Sequence, residues 1–333
     1  MGKTAIEWAE ETWNPVVGCT KASTECKNCY AERLHRTRYR AWLDGWTDAP
    51  EQYHEPFERV RLIERRLDEP KRWRKPRAVF CCSMGDLFHE DVPARDVLAV
   101  LNTMEQVNTD RIHAGREPHR FMVLTKRSRR MRDILETWFD EFLANSVEPT
   151  GVYSIWFGVS VGVQGSVDRA FDLASIRSPV PLVRFVSAEP LLGPVGFAQA
   201  QRRCCDGEFY NLLTGEPLGH DGQPLPGRIN WIIVGGETGP GARPMHPDWA
   251  QSLRDEAGYY GVPFFFKQWG EYVPAWGEND PTIWLDRYGG IATDPHELSD
   301  LENPIPMRRV GRRAAGRELD GLVWEQYPAQ VTP

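Results

Sequence analysis

Short apolar segments alternate along this chain with segments in which apolar residues have helical spacing. The apolar segments are rich in β-branched and aromatic residues and end at glycine, proline or polar residues, as buried strands do. They predict a strand near Thr12 to Val17 and six more at Ala78 to Cys82, Phe121 to Thr125, Ile155 to Val161, Val183 to Ser187, Ile229 to Val234 and Pro263 to Lys267. Strands that are almost continuously apolar indicate a parallel sheet covered on both faces.

The helical segments complete about six or seven strand–helix units. The predicted helices are Tyr30 to Trp42, Arg95 to Val107, Ser128 to Ala144, Val167 to Ile176 and Pro247 to Tyr260. This number of units in 333 residues predicts an α/β fold, a full or partial (β/α) TIM-like barrel.

Two stretches fall outside this alternation. Residues 198–228 are rich in glycine and proline and lack helical periodicity, which predicts a surface insertion within a barrel domain of residues 1–270. Residues 271–333 return to aromatic residues and turns. We expect them to form a small, β-rich C-terminal appendage over one end of the barrel.

The sequence predicts a cytoplasmic protein that does not enter a membrane. No run of about 18 apolar residues is present, and the N-terminus lacks the charged-then-apolar order of a signal peptide. The chain has seven cysteines, but they do not indicate a disulfide framework. The expected compartment keeps thiols reduced, and a chain of this size can bury a core without disulfides. Four of the cysteines form the adjacent pairs Cys81-Cys82 and Cys204-Cys205, to which we assign no role.

The other three cysteines have the spacing C-x6-C-x2-C, at Cys19, Cys26 and Cys29, in the loop between the first predicted strand and the first predicted helix. Thiolates are soft ligands that suit zinc or iron–sulfur centres. A structural zinc site uses four protein ligands, whereas three thiolates on a cubane cluster leave one iron free for chemistry. The carboxyl end of a barrel strand is also where active sites are built. This pattern favours a [4Fe–4S] cluster.

Two alternatives remain open for these cysteines. A zinc site could recruit His35, His54 or His89 as its fourth ligand. The three residues could also be ordinary buried or surface thiols.

The cysteine segment and several later motifs resemble the three-cysteine radical S-adenosylmethionine (SAM)-like family common in bacteriophages. The motifs are IEWAEETWNPVVGCTKASTECKNCYAERL, FCCSMGDLFHEDVP, VLTKR, RFVSAEPLLGPV, WIIVGGETGPGARPMHPDW and PFFFKQWG. The resemblance covers about residues 5–270 and implies a [4Fe–4S] cluster held by the three cysteines, with SAM on the fourth iron. Reduction of such a cluster cleaves SAM to methionine and a 5′-deoxyadenosyl radical, which abstracts a hydrogen atom from the substrate.

The chain departs from the usual radical SAM pattern in one respect. The superfamily has C-x3-C-x2-C with an aromatic residue before the last cysteine, whereas here Asn28 precedes Cys29 and the aromatic residue is Tyr30. The longer spacing leaves the ligand assignment intact and makes the orientation of SAM less defined.

Polar residues directly after buried strands are candidates for a pocket, because they face the mouth of a barrel. Ser83 and Asp86 follow the second strand; the resemblance makes Asp86 a candidate for the SAM ammonium group, and the alternative is that it caps the next turn. Lys126 follows the third strand and is either a partner for a carboxylate or phosphate or a surface lysine. Ser160, near the end of the fourth strand, is placed to contact a ribose hydroxyl.

The later strands supply further candidates. Glu189 follows the fifth strand, where a carboxylate can bind ribose or substrate. Gly235, Gly236 and Glu237 follow the sixth, and glycines there permit close approach of the backbone to an adenine, a ribose or a phosphate. Lys267 and Gln268 end the last strand and are candidate substrate contacts.

The charge pattern bears on the substrate. A net charge of −7 argues against general coating of nucleic acid, but residues 59–77, 126–132 and 308–317 are locally basic. They are either solvated faces or parts of a phosphate-binding surface. Together with the phage association that the resemblance implies, a phosphate-binding surface predicts a modified DNA or nucleotide as the substrate. The predicted reaction is isomerisation of a hypermodified thymidine that carries an amino acid on its 5-methyl carbon.

Such an enzyme would work in the host cytoplasm and would need an electron donor. A base in a duplex would have to be flipped out to reach the mouth of the barrel. The sequence does not identify a partner protein. A first alternative keeps the radical chemistry and has a protein or small metabolite as substrate. A second is a zinc-stabilised nucleic-acid-binding or anti-restriction protein without catalysis.

Overall fold

The computed structural model describes residue 4 and residues 6–201, 208–219, 222–276 and 281–329. The chain divides into two compact units. The first unit comprises Met1–Val159, Ser175–Arg184 and Ala329–Pro333, and the second comprises Ser160–Ala174 and Phe185–Pro328.

Four parallel strands form the sheet of the first unit. They are β1 (Glu11–Trp13), β2 (Ala78–Cys81), β3 (Arg120–Thr125) and β4 (Ile155–Ser160), the last residue of which belongs to the second unit. Each strand pairs in parallel with the next one along the chain. Its helices are α1 (Tyr30–Leu43), α2 (Ala94–His113) and α3 (Ser128–Ala144). Every residue of β4 is buried, as expected for a strand covered on both faces.

The second unit contains three further parallel strands. They are β5 (Arg184–Ala188), the first residue of which belongs to the first unit, β6 (Trp231–Gly235) and β7 (Phe264–Gln268). β6 pairs in parallel with both of its neighbours. The helices are α4 (Asp168–Ala174) and α5 (Pro247–Tyr259).

Shorter elements complete each unit. In the first, Val16–Val17 pairs antiparallel with Arg61–Leu62, and 3-10 helices lie at Thr24–Cys26, Glu51–Tyr53, Glu64–Asp68, Pro70–Arg72 and Thr150–Ser154. In the second, 3-10 helices lie at Gln164–Ser166 and Pro295–Asp300. The predicted insertion contains an antiparallel sheet of Ala200–Gln201, Phe209–Asn211 and Glu216–Pro217.

The C-terminal residues are rich in β-structure, as predicted. Tyr272–Pro274, Ile305–Arg309, Ile283–Leu285 and Ile291–Ala292 form an antiparallel sheet in that order. The short helix α6 (Arg312–Ala315) follows, and then Glu318–Leu319 pairs with Leu322–Val323.

The mixed α/β class with parallel strands is confirmed, with seven such strands in the described ranges. Every predicted strand is found within a few residues, and the first one is divided. It ends at Trp13 because Pro15 has no N–H for a continuing ladder, and Val16–Val17 then pairs with a different segment. In the part of the chain that is described, no helix is long and apolar enough to cross a membrane.

Candidate functional site

The loop that carries three cysteines begins at Gly18, directly after the strand Val16–Val17. Gly18 has a φ of +86°, and a Cβ atom there would lie 2.8 Å from the carbonyl oxygen of Phe57. Its N–H donates to the carbonyl oxygen of Met84, and the N–H of Cys19 donates to that of Phe57. The loop needs glycine here, because it passes between two backbone segments that leave no room for a side chain.

Each cysteine of this loop occupies a different local structure. Cys19 follows Gly18, Cys26 ends the 3-10 helix Thr24–Cys26, and Cys29 is the N-cap residue of α1. All three are half-buried free thiols. Cys19 and Cys29 pack against one apolar cluster, formed by Ala31, Tyr53, Phe57 and Met84. The predicted position of the three thiols, in one loop after β1 and before the first helix, is therefore confirmed.

A buried arginine lies beside the first cysteine. Arg127 Nη1 is 3.6 Å from Cys19 Sγ and 3.0 Å from Asp86 Oδ2. The Thr125 hydroxyl donates to the two carboxylate oxygens of Asp86 at 2.7 and 2.9 Å. Arg127 Nε donates to Glu90 at 2.7 Å. A guanidinium group held in this way stabilises negative charge on the sulfur of Cys19.

Burial and charge act in opposite directions on these groups. Burial raises the pKa of the Cys19 thiol to about 12, the Asp86 carboxylate raises it further, and Arg127 lowers it. Burial disfavours the Arg127 cation, but the Asp86 carboxylate and the hydrogen bond to Glu90 outweigh burial and raise the pKa of Arg127. Cys19 is therefore a protonated thiol at neutral pH, and a metal ion that bound it would release its proton.

The donor set of this loop fits a soft metal centre in its chemistry. Three thiols from one loop suit zinc or an iron–sulfur cluster, and a cation next to one of them favours its thiolate form. Among the described residues, no three Cys, His, Asp or Glu side chains converge in a geometry that could hold a metal ion. The residue types and their common loop fit a cluster, while the sulfur atoms do not form a preassembled set of ligands.

The histidines considered as a fourth zinc ligand all contact other protein atoms. His35 Nε2 lies 2.8 Å from the carbonyl oxygen of Glu55, and His54 Nε2 lies 2.8 Å from that of Ala49. His89 uses both ring nitrogens: Nε2 lies 2.7 Å from the Thr20 hydroxyl, and Nδ1 accepts from the N–H of Asp91. Burial lowers the pKa of His35 and of His89.

Ser83 lies in the turn after β2 and is held by a residue that the sequence did not single out. Ser83 Oγ and the N–H of Met84 both donate to Asn14 Oδ1, at 3.1 and 2.8 Å. The Tyr30 hydroxyl donates to the Ser83 carbonyl oxygen at 2.7 Å. These bonds fasten the turn after β2 to β1 and to the start of α1.

Lys126 is half-buried, and its backbone nitrogen lies 3.4 Å from Asp86 Oδ2.

In the second unit, three of the predicted residues meet at the carboxyl ends of the strands. Lys267 Nζ donates to both oxygens of Glu189, at 2.8 and 2.9 Å. Gln268 Nε2 donates to Glu189 Oε1 at 3.2 Å and to the carbonyl oxygen of Gly236 at 2.9 Å. Glu189 therefore reaches from the end of β5 across β6 to β7.

Gly235 and Gly236 make this arrangement possible. A Cβ atom at Gly235 would lie 3.3 Å from the carboxylate of Glu189, so a larger residue would crowd it. A Cβ atom at Gly236 would lie 1.9 Å from the carbonyl oxygen of Trp269, which is far inside contact distance. The expected close approach at these glycines is thus to the chain's own backbone and to Glu189.

Ser160 and Glu237 flank this group. Ser160 Oγ donates to the carbonyl oxygen of Glu189 at 3.1 Å, and the Ser160 carbonyl oxygen accepts from Arg169 at 2.7 Å. Glu237 is buried and forms an ion pair with Arg243, whose Nη2 and Nε lie 2.6 and 2.9 Å from its two oxygens. The predicted residues therefore fall into two groups: Ser83, Asp86, Lys126 and the cysteines in the first unit, and Ser160, Glu189, Gly235, Gly236, Glu237, Lys267 and Gln268 in the second.

Sequence reasoning missed Arg127, Asn14 and Arg243. Arg127 directly follows Lys126, so the rule that selects the first polar residue after a strand stopped one residue early.

Cys204 and Cys205 lie outside the described residues. Cys81 and Cys82 are buried free thiols, and burial raises the pKa of both.

One protein family matches almost the whole chain. A family described as "Protein of unknown function (DUF5131)" has a model that matches residues 3–328. No curated protein and no solved structure matches the chain.

Proposed function

The chain belongs to the DUF5131 family, and we propose that it is a radical SAM enzyme in which Cys19, Cys26 and Cys29 hold a [4Fe–4S] cluster. The observation that carries the proposal is the cysteine loop itself. It offers three free thiols after β1, and the Arg127 guanidinium lies 3.6 Å from the first of them. A guanidinium at that position compensates the negative charge that three thiolates would bring into a half-buried loop.

We further propose that the parallel strands form a partial barrel of the radical SAM type. The chemistry that the cluster and SAM supply when bound is reductive cleavage of SAM, which yields methionine and a 5′-deoxyadenosyl radical able to abstract a hydrogen atom. The protein contributes binding, orientation and exclusion of water. An electron donor is required as a partner.

Within the first unit, Asp86 has a positioning role in this proposal. Both of its oxygens already accept from Thr125, and one also accepts from Arg127. We therefore assign to Asp86 the orientation of Arg127 beside Cys19. Ser83 is the polar residue of this edge that we propose as a contact for the amino acid part of SAM. Lys126 is a proposed contact for a carboxylate or phosphate of the substrate.

Within the second unit, we propose that Glu189 and Ser160 bind hydroxyl groups of a nucleoside and that Gly235, Gly236 and Glu237 shape the surface that faces it. Lys267 and Gln268 are the proposed substrate contacts. Lys267 is a cation with two donor contacts to Glu189, so a ligand that approaches Glu189 also meets a positive charge.

For the substrate, we propose a hypermodified thymidine in phage DNA, with isomerisation of an amino acid adduct on the 5-methyl carbon and with the host cytoplasm as the place of action. The locally basic segments of an otherwise acidic chain support a polyanionic substrate. A protein or a small metabolite as substrate and a zinc-stabilised binding protein without catalysis are the alternatives that the experiment must separate.

The test is anaerobic purification, iron–sulfur reconstitution, and reduction with SAM, followed by measurement of bound iron and of 5′-deoxyadenosine. We expect the wild type to give both signals and each of Cys19→Ala, Cys26→Ala and Cys29→Ala to lose both. Cys204→Ala is the matched control and should keep both. Colourless wild-type protein with stoichiometric zinc and no deoxyadenosine would establish the zinc alternative instead.

A further inference from the structure

Four arginines lie close together at the end of the C-terminal sheet. Arg308 and Arg309 end the strand Ile305–Arg309, and Arg312 and Arg313 begin α6. All four are exposed. We call Arg308–Arg313 the arginine turn.

Glu271 holds the backbone of the arginine turn. The carbonyl oxygen of Glu271 accepts from the N–H groups of Val310 and Gly311, at 2.9 and 3.1 Å. Gly311 has a φ of +84°, a conformation in which glycine is favoured. The turn is therefore held by backbone hydrogen bonds to the segment that directly follows β7.

Glu271 also fixes the glycine-rich loop that follows β6. Its N–H donates to the carbonyl oxygen of Glu237 at 3.2 Å, and its Oε1 accepts from the N–H of Gly239 at 2.8 Å. Arg309 reaches the same loop, with Nη2 3.3 Å from the carbonyl oxygen of Gly239. The arginine turn thus lies next to the residues that follow the carboxyl ends of β6 and β7.

An aromatic side chain accompanies Arg309 in this sheet. The guanidinium carbon of Arg309 lies 6.0 Å from the centre of the Tyr272 ring. A cation at that distance is attracted by the face of the ring, so Tyr272 helps to hold Arg309 beside the glycine-rich loop.

We propose that the arginine turn binds the sugar–phosphate backbone of DNA and presents it to the carboxyl ends of β6 and β7. This inference rests on the DNA part of the proposed function and is independent of the radical chemistry. Arginine suits the role because its planar fork of donors contacts phosphate oxygens in a bidentate manner. The turn is fixed in advance, so little order is lost when a rigid duplex binds.

The test is fluorescence anisotropy of a labelled DNA duplex with the full chain, between about 50 and about 200 mM salt. The variant is Arg308→Ala/Arg312→Ala/Arg313→Ala, which keeps Arg309 and its contact with the glycine-rich loop. Each lost phosphate contact lowers the slope of log affinity against log salt by about 0.9. For three contacts, we expect the wild type to lose about 40-fold more affinity than the variant over this range.

The matched control is Arg40→Ala/Arg95→Ala/Arg116→Ala, which removes the same charge from three exposed residues of the first unit that lie outside the locally basic segments. We expect the control to keep the affinity and the salt slope of the wild type. An Arg-to-Lys variant at Arg308, Arg312 and Arg313 should keep the slope, and thermal unfolding shows whether each variant is folded. Equal losses in variant and control would overturn the proposal, since net charge alone would then explain binding.

Two other results would also overturn it. One is a wild type that does not bind duplex DNA, and the other is a variant that binds it as the wild type does. If anionic lipid vesicles are bound through the turn and DNA is not, the surface serves a membrane instead. Iron content and deoxyadenosine formation of the same preparations separate the two proposals. DNA binding through the turn without a cluster sustains this inference and refutes the radical chemistry. A cluster with SAM cleavage but no DNA binding refutes this inference and sustains the radical chemistry.

Discussion

The Arg127 guanidinium lies 3.0 Å from the Asp86 carboxylate, and both side chains are almost fully buried. A buried ion pair gains its attraction at the expense of hydration, so its net stabilisation is small, but removing one partner leaves the other charge buried. The pair is joined by Thr125 on one side and by Cys19 on the other. Its integrity therefore determines how the cysteine loop rests on the ends of β2 and β3.

Asp86→Ala should destabilise the protein by about 3 to 5 kcal/mol, because Arg127 loses its buried carboxylate. Urea unfolding followed by tryptophan fluorescence measures the effect. The double variant Asp86→Ala/Arg127→Met should recover part of the loss, since it removes both charges. The control is Lys71→Ala, which breaks an exposed pair with Asp68 and should cost less than about 1 kcal/mol. A loss in Asp86→Ala no larger than in this control would contradict the prediction.

His119 should make the protein less stable in mild acid. The ring is fully buried, and within the described residues neither of its nitrogens has a hydrogen-bond partner. Burial lowers the pKa of His119 to about 3, and nearby arginines add to the effect. The unfolded chain takes up a proton near pH 6.5 and the folded protein does not. Stability is therefore complete above about pH 6.5 and is lost as pH falls towards 3.

His119→Phe removes this titration and places an apolar ring between Trp73 and Phe121, whose rings lie 5.4 and 5.8 Å from that of His119. Between pH 7 and pH 5, the free energy of unfolding of the variant should fall by about 2 kcal/mol less than that of the wild type. Urea unfolding at the two pH values measures the difference. His119→Gln, which is polar but does not titrate, should share the flatter pH dependence without the gain in packing. The same pH dependence in all three proteins would rule out His119 as its source.

The sequence predicted the strands well because their apolar character is local and continuous. Helix α2 shows where such prediction stops: the expected end is Val107, and the helix continues to His113. The extension carries Asn108 and Arg111, which are polar but buried. Their side chains donate to the carbonyl oxygens of His119 and Trp73, partners from other parts of the chain that a periodicity cannot show.

The candidate site was predictable to a similar degree. The rule that polar residues follow buried strands found Glu189, Lys267 and Gln268, which the fold brings into contact. It did not find Arg127, because the direction of a side chain after a strand depends on the turn that follows. For Arg127, that direction is set by its contacts with Asp86.

Gly236→Ala should be strongly destabilising. A Cβ atom would lie 1.9 Å from the carbonyl oxygen of Trp269, which belongs to backbone that cannot move aside cheaply. We expect a loss of about 3 kcal/mol or more, measured by thermal unfolding. The matched control is Gly258→Ala in α5, where nothing lies within 4 Å of the new atom. It should stabilise by about 0.5 to 1 kcal/mol, because alanine is the better helix former. Similar effects of the two substitutions would show that the approach to Trp269 is not a constraint.

Glu189→Gln tests the role of the carboxylate at the end of β5. The variant keeps the shape of the side chain and an oxygen that accepts from Gln268, so the fold should be retained. If Glu189 binds the hydroxyl groups of a nucleoside, loss of its charge should weaken SAM binding about tenfold, the usual difference between a charged and a neutral acceptor. Calorimetric titration of the reconstituted protein measures this, and Glu216→Gln, at an exposed position, is the matched control. Unchanged SAM affinity in Glu189→Gln would mean that the carboxylate serves to hold Lys267 and Gln268, which donate to it at 2.8 and 3.2 Å.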